Sequence, residues 1–596
     1  MRLLAGLIVQ DAQQPGDIAA AARLDVSGQL VQRQHHVLQQ TYDSLTPERQ
    51  KLLSQIACFR GSVAYKNLRE IAAAQENNTL RDLRFNNVQI KFWILLDINC
   101  LTYILFLRES LNADLQDLVS RGLLQYDQPN HRYDLHPIVR RYAYDRLGSN
   151  ERSIVHSQLR DYFAAVPPPE RVQSLDDLNP VIELYHHMVK AGQYDEAFDL
   201  FNDRIGETTR LQFGAYQLNI ELLNALFPSR EEQLPRLTGK WEQASTLNSL
   251  GMNYDDSGQP HKSVPAYERA IEISEKQNNK TNLAIYLRNL TLIQLQLANL
   301  QAAETNLHRS IALSQEIENE FDEARGYREL GRHLAYRGTW TEAEAKLSTA
   351  LAIVEERGNI GEQVLIWGYR ALKALLLVRA TTLLHLVEQR DLRKNKIPAR
   401  QSISRRIQNF IGTLLNRESQ ITEQDTNPVA TALVAAQRSL ELADEYARRK
   451  YPDVWDYVQA YWLLGAAHRV NGNIEESDRD LTQAITRCRA INLVRLEANI
   501  LLELARLRLA TGERDEALRL ADEALEITER CGYVLQGADV HLFLAQLALA
   551  DDDRQKALFH ATEARRLAIC DGPPNYTYKV AYEEAGVLLE ELEKGI

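Results

Sequence analysis

The sequence predicts an all-α protein: a solenoid of stacked antiparallel helix pairs preceded by a small helical domain carrying a two-stranded wing. Three observations lead there. From about residue 240 onward, small and apolar residues recur every 40 positions. Gly and Ala occupy the places where two helices would have to cross closely. The chain's 596 residues also exceed what one compact core accommodates, so several domains or an extended array are expected.

The repeat is explicit. Gly251, Tyr254, Gly258, Ser263, Tyr267 and Ala270 set the frame. Forty residues on stand Thr291, Ala298, Ala303, Leu307 and Ser310, and forty further stand Gly331, Leu334, Gly338, Ala343, Leu347 and Ala350. A second run has Gly465, Gly472, Ser477, Leu481 and Ala484, then Ala505, Gly512, Ala517, Ala521 and Ala524, then Ala545, Asp552, Ala557, Ala561 and Ala564. Small residues let paired helices approach, and the Gly after each first helix tolerates a left-handed backbone. No pair buries its apolar face alone, so the pairs must stack. The small-Tyr-Gly-small-Tyr-Ala pattern resembles the tetratricopeptide repeat. Departures fall at Gln294, His468 and Arg508, where the first aromatic is missing, and the 40-residue period implies longer helices or turns than the family's 34.

The frame calls for a further pair at Ala371. Ile366, Tyr369, Leu372, Leu375 and Leu376 suit its first helix, but the matching second helix, with Ala432, Ala436, Ser439 and Leu440, comes 49 residues late. An insertion is therefore expected near 379–428. Residues 178–227 read as an earlier, degenerate pair, with Leu184, Tyr185, His186 and His187 leading through Gly192 to Tyr194, Ala197 and Phe198. Neighbouring side chains on a helix diverge by about 100°, so His186 and His187 are expected to be structural and no metal site is predicted.

In the N-terminal quarter, Thr46-Pro47 is a helix start, with Thr as cap and Pro in the first turn. Leu52, Leu53, Ile56 and Phe59 follow at helical spacing, and Leu111, Leu115, Leu118 and Val119 mark another helix ending at Arg121-Gly122. A hairpin is expected next, with strands Leu123–Tyr126 and Arg132–Leu135 around the turn formers Asp127 to Asn130. His136-Pro137 then opens a helix through Val139, Tyr142 and Leu147. The string from Arg121 to Leu124, followed by Tyr133-Asp134-Leu135-His136-Pro137-Ile138-Val139-Arg140, resembles the winged-helix domain of STAND-class signalling ATPases, the group that includes NB-ARC proteins. The likeness covers roughly residues 38–148. It implies that residues 1–37 are the tail of a preceding helical domain and that His136 contacts the β-phosphate of ADP. It also implies a P-loop domain, yet no G-x-x-x-x-G-K-[ST] string occurs here. ADP or ATP would then matter only if a nucleotide-binding domain were supplied upstream or in trans, and the chain itself calls for no cofactor.

Composition is that of a soluble globular protein, with 45% hydrophobic and 25% charged residues and no excess of Gly or Pro that would imply disorder. A net charge of -12 argues against general nucleic-acid or membrane-surface binding. Cys58, Cys100, Cys488, Cys531 and Cys570 form no C-x-x-C pair and suit a reducing cytoplasm. The apolar start Met1 to Val9 is minimal and lacks a good cleavage region, and the run Phe92 to Leu107 holds Asp97 and Asn99 and is too short to span a bilayer. A cytoplasmic location is expected.

These signals divide the chain into a remnant helical segment (1–45), a winged-helix-like domain (46–150), a helical connector with a degenerate repeat (151–235), repeats (236–378), a basic insertion (379–428) and further repeats (429–596). First helices should line the concave face. There Arg325, Arg328 and Arg332 share one helix face, with Arg288 and Asn289 from the preceding repeat beside them and Tyr336 one turn on, a set suited to a carboxylate or phosphate. The alternative is a solvated face paired with Glu323 and Glu329. The insertion carries Arg390, Arg393, Lys394, Lys396, Arg400, Arg405 and Arg406 ahead of an amphipathic Ile403 to Leu414. No G-x-S-x-G, H-E-x-x-H or Cys-His set signals catalysis. The function read from the sequence is a protein-interaction scaffold or sensor region of a STAND-type signalling protein, binding a protein or peptide through its repeats. A free-standing tetratricopeptide adaptor is the alternative. A winged-helix transcription regulator is disfavoured because the candidate recognition helix, Ala113 to Arg121, carries Asp114 and Asp117 and one Arg.

Overall fold

The computed structural model describes residues 30–69, 111–228, 233–393 and 427–594. The chain forms two compact units, Met1–Phe201 and Asn202–Ile596. The division falls inside the stretch read above as a connector. Residues 202–228 belong to the solenoid because Arg210 pairs with Asp256 at 2.8 Å and Asn219 donates to Asn253 at 3.3 Å.

In the first unit, α1 (Leu30–Asp43) precedes α2 (Pro47–Ile56), whose Thr46 hydroxyl caps the Arg49 amide at 3.4 Å. Residues 111–120 are helical and end at Gly122, where φ is +73°. The sheet has three antiparallel strands in the order β1 (Val63–Ala64), β3 (Arg132–Asp134), β2 (Gln125–Asp127), with Tyr126 opposite Tyr133. The hairpin thus starts two residues later than its sequence suggests. Leu123 and Leu124 are buried ahead of it in the core with Leu53, Ile56, Leu115 and Leu118. The strand Val63–Ala64 had no signal, since two residues are too few for an alternating pattern. Helices α3 (Pro137–Arg146), α4 (Ser149–Ala164), α5 (Asn179–Lys190) and α6 (Tyr194–Arg204) follow.

The second unit is a tetratricopeptide-like α-solenoid. After a single π-turn (Thr208–Gln212) and α7 (Tyr216–Asn224), helices pair in order: α8 (Lys240–Asp256) with α9 (Pro260–Lys276), α10 (Lys280–Gln296) with α11 (Leu300–Glu316), α12 (Glu320–Arg337) with α13 (Trp340–Glu356), and α14 (Ile360–Arg393) with α15 (Pro428–Arg449). Next come α16 (Val454–Asn471) with α17 (Ile474–Ala490), α18 (Val494–Ala510) with α19 (Arg514–Cys531), α20 (Val534–Ala550) with α21 (Arg554–Ala568), and a closing α22 (Lys579–Lys594).

The period has a plain origin. Helices such as α8 to α11 are 17 residues long, and a left-handed residue sits in each turn. Gly258, Ala298, Gly338, Gly472, Gly512 and Asp552 all have φ between +62° and +85°. A Cβ on Gly251, Gly331 or Gly465 would stand 2.7–2.8 Å from the Tyr267, Leu347 or Leu481 side chain, so the small residue is what permits the crossing.

The split repeat shows its register in one hydrogen bond. Ser310 Oγ donates to the Ala284 carbonyl, 26 residues back, and Ser439 Oγ donates to the Val364 carbonyl, 75 residues back. The difference is 49. Helix α14 does not stop at 378 but runs on to Arg393. Arg379, within the stretch read as insertion, reaches Asp539 at 2.8 Å and Glu584 at 2.6 Å. Among the described residues no helix is long and apolar enough to cross a membrane.

Candidate functional site

First helices of the early repeats pack against those of the late ones: α8 on α18, α10 on α20, and α12 and α14 on α22. Much of the concave face is therefore occupied by the chain itself. What remains is a chamber of about 740 Å³. One wall presents Asn248, Arg288, Asn289, Arg325, Arg328, Glu362 and Tyr369, and the facing wall presents Arg449, Lys450, Asp453, Asp456 and Arg495, with Arg210 of the π-turn between.

The arginines sit on rungs of the repeat. Arg288 Nη1 pairs with Asp322 Oδ1 at 2.7 Å, and one repeat later Arg328 pairs with Glu362, both across 34 residues. The carboxylates are placed by helix starts. Asn319 and Asn359 side chains accept from the Asp322 and Glu362 amides at 3.1 and 3.0 Å, which fixes each acid in the first turn, where the helix dipole favours it. Arg325 Nε adds a 2.7 Å bond to Glu362, and Glu329 holds Arg328 at 2.8 Å and Arg332 at 2.9 Å. Asn289 donates to Asn248 at 3.0 Å.

Burial opposes ionisation of Glu362, but Arg328 and Arg325 outweigh it and hold the carboxyl below its ordinary value. Burial likewise opposes the charge of Arg328, yet Glu362 and Glu329 lift its pKa. On the facing wall the direction reverses. Burial, with Asp453 and Glu362 nearby, pushes the Asp456 carboxyl well up, and burial raises Asp453 to about 6. Cationic side chains outnumber acidic ones in the lining by seven to six, and a neutral Asp456 widens that margin, which suits a ligand carrying carboxylate or phosphate.

Of the residues singled out from sequence, Arg288, Asn289, Arg325 and Arg328 line the chamber. The three arginines are ion-paired rather than a solvated face: Arg288 with Asp322, Arg325 with Glu362, and Arg328 with Glu362 and Glu329, whereas Glu323 accepts from Gln315. Arg332 lies over the Tyr369 ring at 5.0 Å, and Tyr336 packs edge-on to Tyr578 at 5.3 Å, neither lining the chamber. His136 is exposed and caps α3, accepting from the Ile138 amide at 3.3 Å. Lys394, Lys396, Arg405 and Arg406 lie outside the described residues, and Arg393 is the last residue of α14.

Sequence reasoning missed the facing wall. Asp255 and Arg495 meet at 2.7 Å across 240 residues, a distance no local pattern spans. It also missed Asp322 and Glu362, though Asn-x-x-Asp and Asn-x-x-Glu recurring 40 residues apart after Arg288 and Arg328 signal them. His186 and His187, expected to be structural, stand beside His156, and the three offer donor atoms within 4.8 Å of one another.

Residues 242–316 match the tetratricopeptide repeat family. No curated protein matches the chain. Among solved structures it is similar to a STAND protein (signal transduction ATPase with numerous domains) with a tetratricopeptide repeat sensor from Pyrococcus horikoshii, at 14% identity over 100% of this chain and 74% of that one, TM-score 0.39. A Rap protein complexed with competence and sporulation factor shares 11% identity over 70% of this chain and 98% of its own, TM-score 0.37. Yeast Tom70 shares 13% over 82% and 94%, TM-score 0.32. The chain is a helical-repeat protein in which residues 242–316 match the tetratricopeptide repeat.

Proposed function

We propose that this chain is the sensor and scaffold portion of a STAND-type signalling protein, and that its chamber takes a short protein segment bearing a carboxylate or phosphate. The observation that carries the reading is the set of guanidinium groups around one 740 Å³ space, facing a wall whose Asp456 is held toward its neutral form. The self-packing of the first helices supports a short extended segment as the ligand, because it leaves a chamber in place of an open groove. For the signalling link, support comes from the Arg121 to Arg140 region and its position ahead of the repeats. His136, exposed at the start of α3, is the residue that would meet a phosphate delivered by a P-loop module upstream or in trans.

The test is selection of peptides from a random display library on the chain, followed by calorimetric titration. Enrichment of acidic or phosphorylated peptides, with binding at least tenfold weaker in Arg325→Ala and Arg449→Ala, is the expected result. Enriched peptides that bind both variants as tightly as the unaltered chain would remove the chamber from the account.

A further inference from the structure

The N-terminal unit contains a second site of a different kind. His156 lies on α4, and His186 and His187 lie on α5. Their rings form a near-equilateral triangle with centroid separations of 5.9 Å (His156–His186), 5.2 Å (His156–His187) and 5.3 Å (His186–His187). Three imidazoles bound through nitrogen to a tetrahedral ion at ~2.0–2.1 Å place their ring centres roughly 5.2 Å apart. The Nδ1 atoms of His156 and His187 stand 3.0 Å from each other, against roughly 3.3 Å for two nitrogens on one such ion.

We propose that His156, His186 and His187 form a three-imidazole site for a divalent transition-metal ion, zinc in the first instance, with the remaining position open to water. The groups behind the rings are those that ligating histidines use. With Nδ1 of His156 and His187 turned to the ion, their Nε2 atoms face the Tyr144 hydroxyl at 3.1 Å and the Glu183 carboxylate at 3.6 Å, and His186 is hydrogen-bonded to the Cys58 backbone. Without an ion, the Nε2 of His187 is buried with no hydrogen-bond partner. An ion on Nδ1 would polarise the Nε2–H and strengthen its attraction to Glu183.

Lys190 and Arg152 lie near the rings and disfavour a further positive charge, and Glu183 beside His187 offsets part of that repulsion. Three imidazoles suit zinc, cobalt, nickel or copper, not magnesium or calcium. A bound ion would tie α4 to α5.

The experiment uses the full untagged chain, stripped by chelator and titrated with Co(II). The expected result is one equivalent bound, visible d–d bands of tetrahedral cobalt, and their loss on adding Zn(II). His156→Gln and His187→Gln abolish the bands, and Tyr144→Phe and Glu183→Gln weaken binding by about tenfold to a hundredfold. Absence of the bands in the unaltered chain overturns the proposal whatever the variants do. Bands that survive in a His156→Gln/His187→Gln chain with unchanged circular dichroism overturn it too.

Discussion

Replacing Arg495 by Met would test how the solenoid closes around its chamber. Arg495 is 5% exposed and donates to Asp255 Oδ2 at 2.7 Å, with Asp256 Oδ1 at 3.7 Å. Both carboxylates are buried in the last turn of α8, where the helix dipole already disfavours negative charge. Arg210 bonds Asp256, so Arg495 is the partner that Asp255 loses. Breaking one side of a buried pair costs about 3–5 kcal/mol. The cost should depend on pH. Burial sets the Asp255 carboxyl above its ordinary value, Arg495 opposes that, and Asp256 adds to it. Without Arg495 the folded-state value rises further above the unfolded one. The folded chain then holds a proton the unfolded chain has released, so the variant's stability falls as pH rises, and its deficit is smaller at pH 5 than at pH 7. Urea unfolding followed by tryptophan fluorescence is the assay, because Trp455 lies 5.3 Å from the guanidinium. Adding Asp255→Asn should recover more than half of the loss at pH 7. A cost below about 1 kcal/mol at pH 7, or one equal at pH 5 and pH 7, would refute the reasoning.

Other perturbations probe the repeat and the chamber. Gly331→Val forces atoms against Leu347, which a Cβ alone would meet at 2.7 Å, and should cost about 1–3 kcal/mol in urea unfolding, while the same change at the open Gly512 acts only through its φ of +85°. Ser439→Ala removes the buried bond to the Val364 carbonyl and should cost about 1–3 kcal/mol, read as faster hydrogen exchange in α14 and α15. Asp453 is raised to about 6 mainly by burial, so it holds extra protons in the folded state and its contribution to stability falls as pH rises from about 4 to about 6. Asp453→Asn keeps the cap to Trp455 and should flatten that slope in pH-dependent melting.

The periodic part of the fold was legible because repetition averages away local ambiguity. Gly258, Gly338 and Gly472 mark left-handed turns by residue type alone, and the frame then placed Ala298 and Asp552, which adopt the same φ without being glycine. The 49-residue displacement of Ser439 was equally visible, because the small-residue frame resumes after it. The helix beyond 378 was not, since the frame predicts where pairing ends and not where an individual helix stops. The arginines of one chamber wall were found as a helix face, but their ion pairs to Asp322 and Glu362 reach the next repeat, where a single helix face gives no sign of them. The opposite wall, with Arg495, Asp453 and Asp456, arises from superhelical closure across more than two hundred residues. His156 was overlooked because a helical wheel treats one helix, and this cluster joins two.

Photo-crosslinking tests the central claim most directly. A benzophenone amino acid is placed at Met252, which lines the chamber, and separately at Phe559, which is 58% exposed on α21, a second helix of its pair, and each chain is irradiated with a library-selected acidic peptide. The account predicts an adduct from position 252 that excess unlabelled peptide suppresses, and none from position 559. An adduct from 559 with none from 252 would place the binding surface outside the chamber and contradict it.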